Sequence, residues 1–188
     1  MENQTHVVVD IECFSNNVIK EVAVCTPFYC IGLSLKPPSA LDKVSQNHTK
    51  QNEWLTRKLH GIEWSSGNVF YHNLDNLWRS FKYKNAVYFA KGLPKCKLLE
   101  SLLEETFINL EDMACPTFKQ LVQKSNSTFY TPVVCDSYPN IHGTTPFQHC
   151  AQHKARIYHK WLEAELTVRH HGNSKRNSKT VSHVYVEV

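Results

Sequence analysis

The stretch His6-Val-Val-Val-Asp-Ile-Glu12 sets β-branched residues against two acids. Such a run reads as a buried β-strand. Side chains alternate across a strand, so Asp10 and Glu12 share one face, two residues apart. A carboxylate pair at that spacing suits Mg²⁺ or Mn²⁺, because a hard cation wants several oxygen ligands and a phosphate completes its shell. It equally suits a solvated strand end, since Asp-x-Glu is a short and common pattern.

Working outward, 18–25 and 28–35 are two more strand-like runs, with Thr26-Pro27 as the turn between them and Pro37-Pro38 as a stop. Three strands with short links predict an antiparallel meander. Residues 47–60 read as a helix that buries Trp54, Leu55 and Leu59, ended by Gly61. A second helix over 73–81 carries Leu74, Leu77, Trp78 and Phe81. Ala86-Val-Tyr-Phe-Ala90 is a strand, 94–105 a helix opened by Pro94, 107–110 a strand and 116–124 a short helix. Residues 125–147 are loop-rich, 149–165 form a long helix, and 169–180 read as unstructured. Residues 181–188 fit a weak strand or a continuing tail. The order βββ-α-α-β-α-β-α-α implies an α/β fold with a mixed sheet and helices packed on it.

A chain of 188 residues with 41% hydrophobic residues is long enough for one well-buried core. No apolar run reaches the ~20 residues that span a bilayer, so no membrane partner is expected. Residues 1–6 lack the basic and apolar regions of a secretory leader, which points to an intracellular protein of the cytoplasm or nucleus. The seven cysteines are accordingly expected as reduced thiols, most of them small core residues. The net charge is +4, and residues 167–188, with four Lys/Arg against one Glu, hold +3 of it. The division is therefore a domain over 1–166 and a basic, flexible tail over 167–188.

Residues 79–97 hold Arg79, Lys82, Lys84, Lys91, Lys95 and Lys97 and no acid, with Tyr83, Tyr88 and Phe89 among them. Cations interleaved with aromatics suit a phosphate backbone and stacked bases. The competing reading is a set of solvated helix ends around a core strand. His60-Gly-Ile-Glu-Trp64 joins His and Glu, but reads better as a helix end followed by a packing Trp.

Asp-x-Glu on the first strand of this order resembles the first motif of the DEDD-type 3′–5′ exonucleases, which have a ribonuclease-H-like fold. The resemblance implies a second acid where a helix opens after the fourth strand. In Val87-Tyr-Phe-Ala-Lys-Gly-Leu-Pro-Lys-Cys-Lys-Leu-Leu99 that position is Lys95. It implies a third motif, His-x4-Asp-Ala, whose counterpart Thr145-Pro-Phe-Gln-His-Cys150-Ala151 has Thr for His and Cys for Asp. An active nuclease would then need Asp10 and Glu12 completed by Asp112 or Asp136. The degenerate pattern also resembles the Maelstrom family, whose ribonuclease-H-like domain carries a Glu-Cys-His-Cys zinc set; here that implies Glu12, Cys135, His142 and Cys150. Over about residues 7–165, Trp54-Leu…Leu59-His-Gly-Ile-Glu-Trp64, Val87 to Lys95, Ile108 to Pro116 and Cys150-Ala…Trp161-Leu162 resemble a multicopy arthropod group linked to mobile elements or viruses. Together these resemblances imply a binding domain for RNA or single-stranded DNA with a degenerate active site, with a metal-dependent nuclease as the alternative.

Overall fold

The computed structural model describes residues 4–124 and 150–179. β1 (Thr5–Cys13), β2 (Ile19–Cys25) and β3 (Cys30–Lys36) form the antiparallel meander expected from the sequence. β5 (Ala86–Ala90) runs parallel to β1, and β6 (Phe107–Asn109) parallel to β5. At the other edge, β4 (Val69–Phe70) pairs parallel with β3. The sheet order is β4-β3-β2-β1-β5-β6, so the fold is mixed α/β with β1 inside. β4 has no counterpart among the expected strands, because two residues carry no periodicity.

The helices are α1 (Gln46–Leu55), α2 (Leu74–Ser80), α3 (Leu93–Leu103), α4 (Phe118–Lys124) and α5 (Ala151–Lys179). A wide π-helical turn, Thr56–His60, prolongs α1 to Gly61, whose φ of 68° ends it in the left-handed region that glycine tolerates. α5 reaches Lys179, so residues 169–179 are helical where the sequence reads as coil. No proline interrupts 151–179, and its Lys and Arg residues are good helix formers, leaving Gly172 as a mild penalty.

Strand alternation divides the core. Val7, Val9 and Ile11 of β1 pack with Val22, Val24, Trp78, Leu99 and Leu103, which seats α2 and α3 on one face. Val8 packs with Ala23, Cys25, Phe89, Ala151, Ala155, Tyr158 and Leu162, which seats α5 on the other. The α5 residues recur every three or four positions, one helical stripe. Ala151 and Ala155 let the helix approach closely. At Gly32 a Cβ would fall 2.9 Å from the Gln152 Cβ, so any side chain there would displace α5.

Two expectations, on Trp54 and on the cysteines, differ from the fold, and Lys20 adds a feature the sequence did not announce. Trp54 is 58% exposed, and α1 instead turns Asn52 inward, where Asn52 Oδ1 accepts from Ser15 N (2.9 Å) and Ser15 Oγ (2.6 Å). The helix is held by a polar clasp, a feature that apolar periodicity does not report. Cys25 and Cys30, cross-strand partners at the end of the β2–β3 hairpin, are joined as a disulfide and are not reduced thiols. Lys20, inside a strand-like run, is fully buried. Its Nζ donates to the carbonyls of Leu35 (2.5 Å), Trp64 (2.9 Å) and Ser66 (2.6 Å), and burial brings its pKa down to about 8. The ammonium ties the loop after Gly61 to the end of β3. His60 and Trp64 in that segment pack on Phe14, with ring centroids at 4.9 and 5.2 Å.

Candidate functional site

Asp10 and Glu12 lie near the carboxyl end of β1, on the α5 face. Val8 pairs with Phe89, so Asp10 sits just past the end of the parallel neighbour β5. In open α/β sheets, crevices beyond the carboxyl ends of parallel strands are the usual ligand positions. Opposite Glu12 on β2 stands Glu21, which gives a third carboxylate on the same face. All three are buried: 1% exposed for Asp10, 7% for Glu12 and 0% for Glu21.

Buried carboxylates need compensation. Lys95, in the first turn of α3, donates from Nζ to Asp10 Oδ1 at 2.7 Å. Lys154, one turn into α5, donates to Glu12 Oε1. Glu21 Oε2 accepts the Ala151 backbone N–H at 2.8 Å, and its Oε1 accepts from Cys150 Sγ at 3.7 Å. Glu21 thereby caps the start of α5, where the helix dipole favours negative charge. Burial raises the Asp10 carboxyl above its ordinary value, outweighing the downward pull of Lys95 and Lys154. Lys95 is held above its ordinary value, its own burial outweighed by Asp10 and Glu12. Asp10 Oδ2 is buried and has no hydrogen-bond partner among the described residues.

The sequence-derived candidates separate. Lys95, a candidate nucleic-acid-binding cation in the sequence, is paired with Asp10. Asp112 is exposed in the turn after β6, its backbone N–H bound to Asn109 O at 3.0 Å. Asp136, Cys135 and His142 lie outside the described residues. Of the zinc set, Glu12 is engaged by Lys154 and Cys150 by Glu21. Among the described residues, no three His, Cys, Asp or Glu side chains gather closely enough to hold a metal ion.

The basic segment also divides. Arg79, Lys82, Lys84 and Lys97 are exposed, with Lys82 bridged to Glu105. Lys91 turns inward, donating to Cys115 O at 2.7 Å with its Nζ 5.8 Å from the centre of the Tyr158 ring. Tyr88 and Phe89 are both 4% exposed and belong to the core, so neither offers a face to a base. Tyr83 is half-buried, with its ring centroid 6.3 Å from that of Tyr29.

Sequence reasoning missed Glu21 and Lys154 as members of the site. Both leave a trace: Glu21 shares the alternation class of Ala23 and Cys25, and Lys154 stands three residues after Ala151 on the α5 stripe. Apart from the site, an apolar groove of about 740 Å³ lies by the end of β3, lined by residues including Pro37, Pro38, Trp64 and Phe70. No helix among the described residues is long and apolar enough to cross a membrane. No protein-family model matches the chain, and no curated protein or solved structure does so either.

Proposed function

We propose that this chain is a ribonuclease-H-like domain, of exonuclease-like ancestry, that binds single-stranded nucleic acid and does not cut it. The reading of the fold draws on the strand order β3-β2-β1-β5-β6, with β2 antiparallel to its neighbours, and on Asp10 and Glu12 near the carboxyl end of the central strand.

One observation carries the loss of catalysis: ammonium groups sit on both motif carboxylates, Lys95 on Asp10 and Lys154 on Glu12. A two-metal nuclease needs several free carboxylate oxygens around cations ~4 Å apart. Here lysines supply the positive charge that Mg²⁺ or Mn²⁺ would bring, so the residues do not fit a metal-dependent site. Glu12 and Cys150, as engaged, do not fit the zinc set either. The nuclease reading keeps one point in its favour, the unpartnered Asp10 Oδ2. A single oxygen beside the Lys95 ammonium is too little to hold a cation against that charge.

Support for nucleic-acid binding comes from the exposed cations Arg79, Lys84 and Lys97, on a segment without acids. The test mixes the full chain with labelled single-stranded RNA and DNA, with and without Mg²⁺ or Mn²⁺, at low and moderate salt. Binding should weaken about tenfold or more between 50 and 200 mM salt and weaken again in Arg79→Ala/Lys84→Ala/Lys97→Ala, with the strand intact. Metal-dependent shortening that is lost in Asp10→Asn would overturn the non-catalytic reading. Absence of binding at low salt would overturn the nucleic-acid reading.

A further inference from the structure

We infer that Cys25 and Cys30 are a redox-active pair whose oxidation state sets how α5 seats on the sheet. They are the last residue of β2 and the first of β3, with Cα atoms 4.0 Å apart. Between them is a closed turn: Thr26 N donates to Tyr29 O at 2.8 Å, and Thr26 Oγ1 accepts from Phe28 N and Tyr29 N, each at 3.2 Å. Cys25 is 2% exposed and packs with Ala151 and Ala155 of α5, whereas Cys30 is half-buried. Cys30 is thus the less covered residue of the pair, with its Sγ 3.6 Å from Gln152 O of α5. The free thiols Cys13, Cys96 and Cys115 are poor competitors, since burial pushes them up to about 12, 11 and 11.

The reaction is thiol–disulfide exchange with a dithiol reductant. One thiolate of the reductant attacks Cys30 Sγ, the Cys25–Cys30 bond breaks, and the Cys25 thiolate leaves and takes a proton. The second thiol of the reductant then attacks the mixed disulfide and releases Cys30. Two electrons pass to the protein, and the reductant closes into its own disulfide.

Reduction has a mechanical result. Two sulfurs no longer bonded must separate to non-bonded distance, roughly 3.5 Å or more. Cys25 packs on Ala151 and Ala155, and Cys30 Sγ stands 3.6 Å from Gln152 O, so the two sulfurs separate against α5. The Cys30 carbonyl accepts Gln152 Nε2 at 2.9 Å, and two residues on, Gly32 leaves Gln152 no clearance. The displacement therefore reaches the first turn of α5, where Ala151 is bound by Glu21 and where Lys154 reaches Glu12. The redox state of the hairpin is thus coupled to the cover over the buried carboxylates.

Peptide mapping and hydrogen exchange of the full chain test this. The tryptic peptide from Glu21 to Lys43 contains both cysteines, cleavage being poor before Pro37, and should be lighter by two hydrogens before reduction. Dithiothreitol should speed amide exchange across residues 151–155 by about tenfold, reversibly on reoxidation, with β5 unchanged. Cys25→Ser/Cys30→Ser should exchange like the reduced protein and ignore the reductant. A peptide at full dithiol mass without reduction, or equal exchange of 151–155 in the two states, would overturn the inference. If the double variant does not fold, the reversible comparison on the natural sequence decides.

Discussion

Replacing Lys95 with methionine keeps the methylene stem and removes the ammonium that lies 2.7 Å from Asp10 Oδ1. Asp10 is 1% exposed, so water cannot take over the lost hydrogen bond. Stranding one partner of a buried pair costs about 3–5 kcal/mol. The carboxyl escapes part of that by taking a proton, and Lys154 still acts on it, so the expected loss near pH 7 is about 2–4 kcal/mol. The sign of the pH dependence follows from the carboxyl. Its folded-state value is already raised above the ordinary 3.8, mainly by burial, and Lys95 is the strongest influence holding it down. Lys95→Met therefore raises it further. The folded state then binds a proton over a wider pH range than the unfolded chain does, and stability falls as pH rises through that range. The gap between Lys95→Met and the natural sequence should be small near pH 4 and widen toward pH 7. Urea unfolding at several pH values, followed by the fluorescence of the buried Trp64 and Trp78, measures it. Asp10→Asn/Lys95→Met should recover at least half of the loss. A loss under about 0.5 kcal/mol at pH 7, or a gap that ignores pH, would refute a compensated buried carboxylate.

The close packing of α5 and the buried ammonium of Lys20 give further predictions. Gly32→Ala should cost about 1–3 kcal/mol, because the new methyl meets Gln152 Cβ at 2.9 Å; Gln152→Ala leaves that Cβ in place and should relieve little of it, which thermal unfolding of single and double variants will show. Lys20→Met should destabilise by leaving three carbonyls without their donor. The folded pKa of Lys20 is lowered from 10.5 to about 8, so the unfolded chain holds the proton more tightly, and the advantage of the natural sequence over Lys20→Met should grow between about pH 8 and 10.5. Unfolding free energies of the two proteins across that range provide the check.

Much of the sheet is legible because its strands alternate or are uniformly apolar. Val7 to Ile11 and Ala86 to Ala90 contain side chains for both faces, and the structure uses both. α3 and the start of α5 stand close to where periodicity puts them, although α5 runs on to Lys179, whereas α1, which turns Asn52 inward, misleads any reading based on apolar residues. In the candidate site, Asp10, Glu12 and Lys95 are readable from local pattern and motif position. Glu21, Lys154 and Lys20 are not, since a charged residue in a strand or on a helix reads as solvated until its partner is known. Those partners are remote: Glu12 and Lys154 are 142 positions apart, Asp10 and Lys95 are 85 apart. The Cys25–Cys30 pairing is not legible for another reason: an intracellular expectation implies reduced thiols, whereas the hairpin register sets the two residues directly opposite each other.

β1 leaves the ribosome before any of its partners, and α5 follows every other described element. During synthesis the sheet face that α5 will cover is open, with Val8, Ala23 and Phe89 uncovered. Bare apolar sheet of that kind invites association between nascent chains. Asp10, Glu12 and Glu21 stand on the same face, and until Lys154 and the Ala151 amide arrive, water solvates at least Glu12 and Glu21. Charges flanking an unavoidable hydrophobic strand act as gatekeepers against aggregation. The acids that the finished fold must neutralise thus protect the unfinished one, and α5, arriving after the strands it covers, both seals the core and withdraws that protection once it is no longer needed.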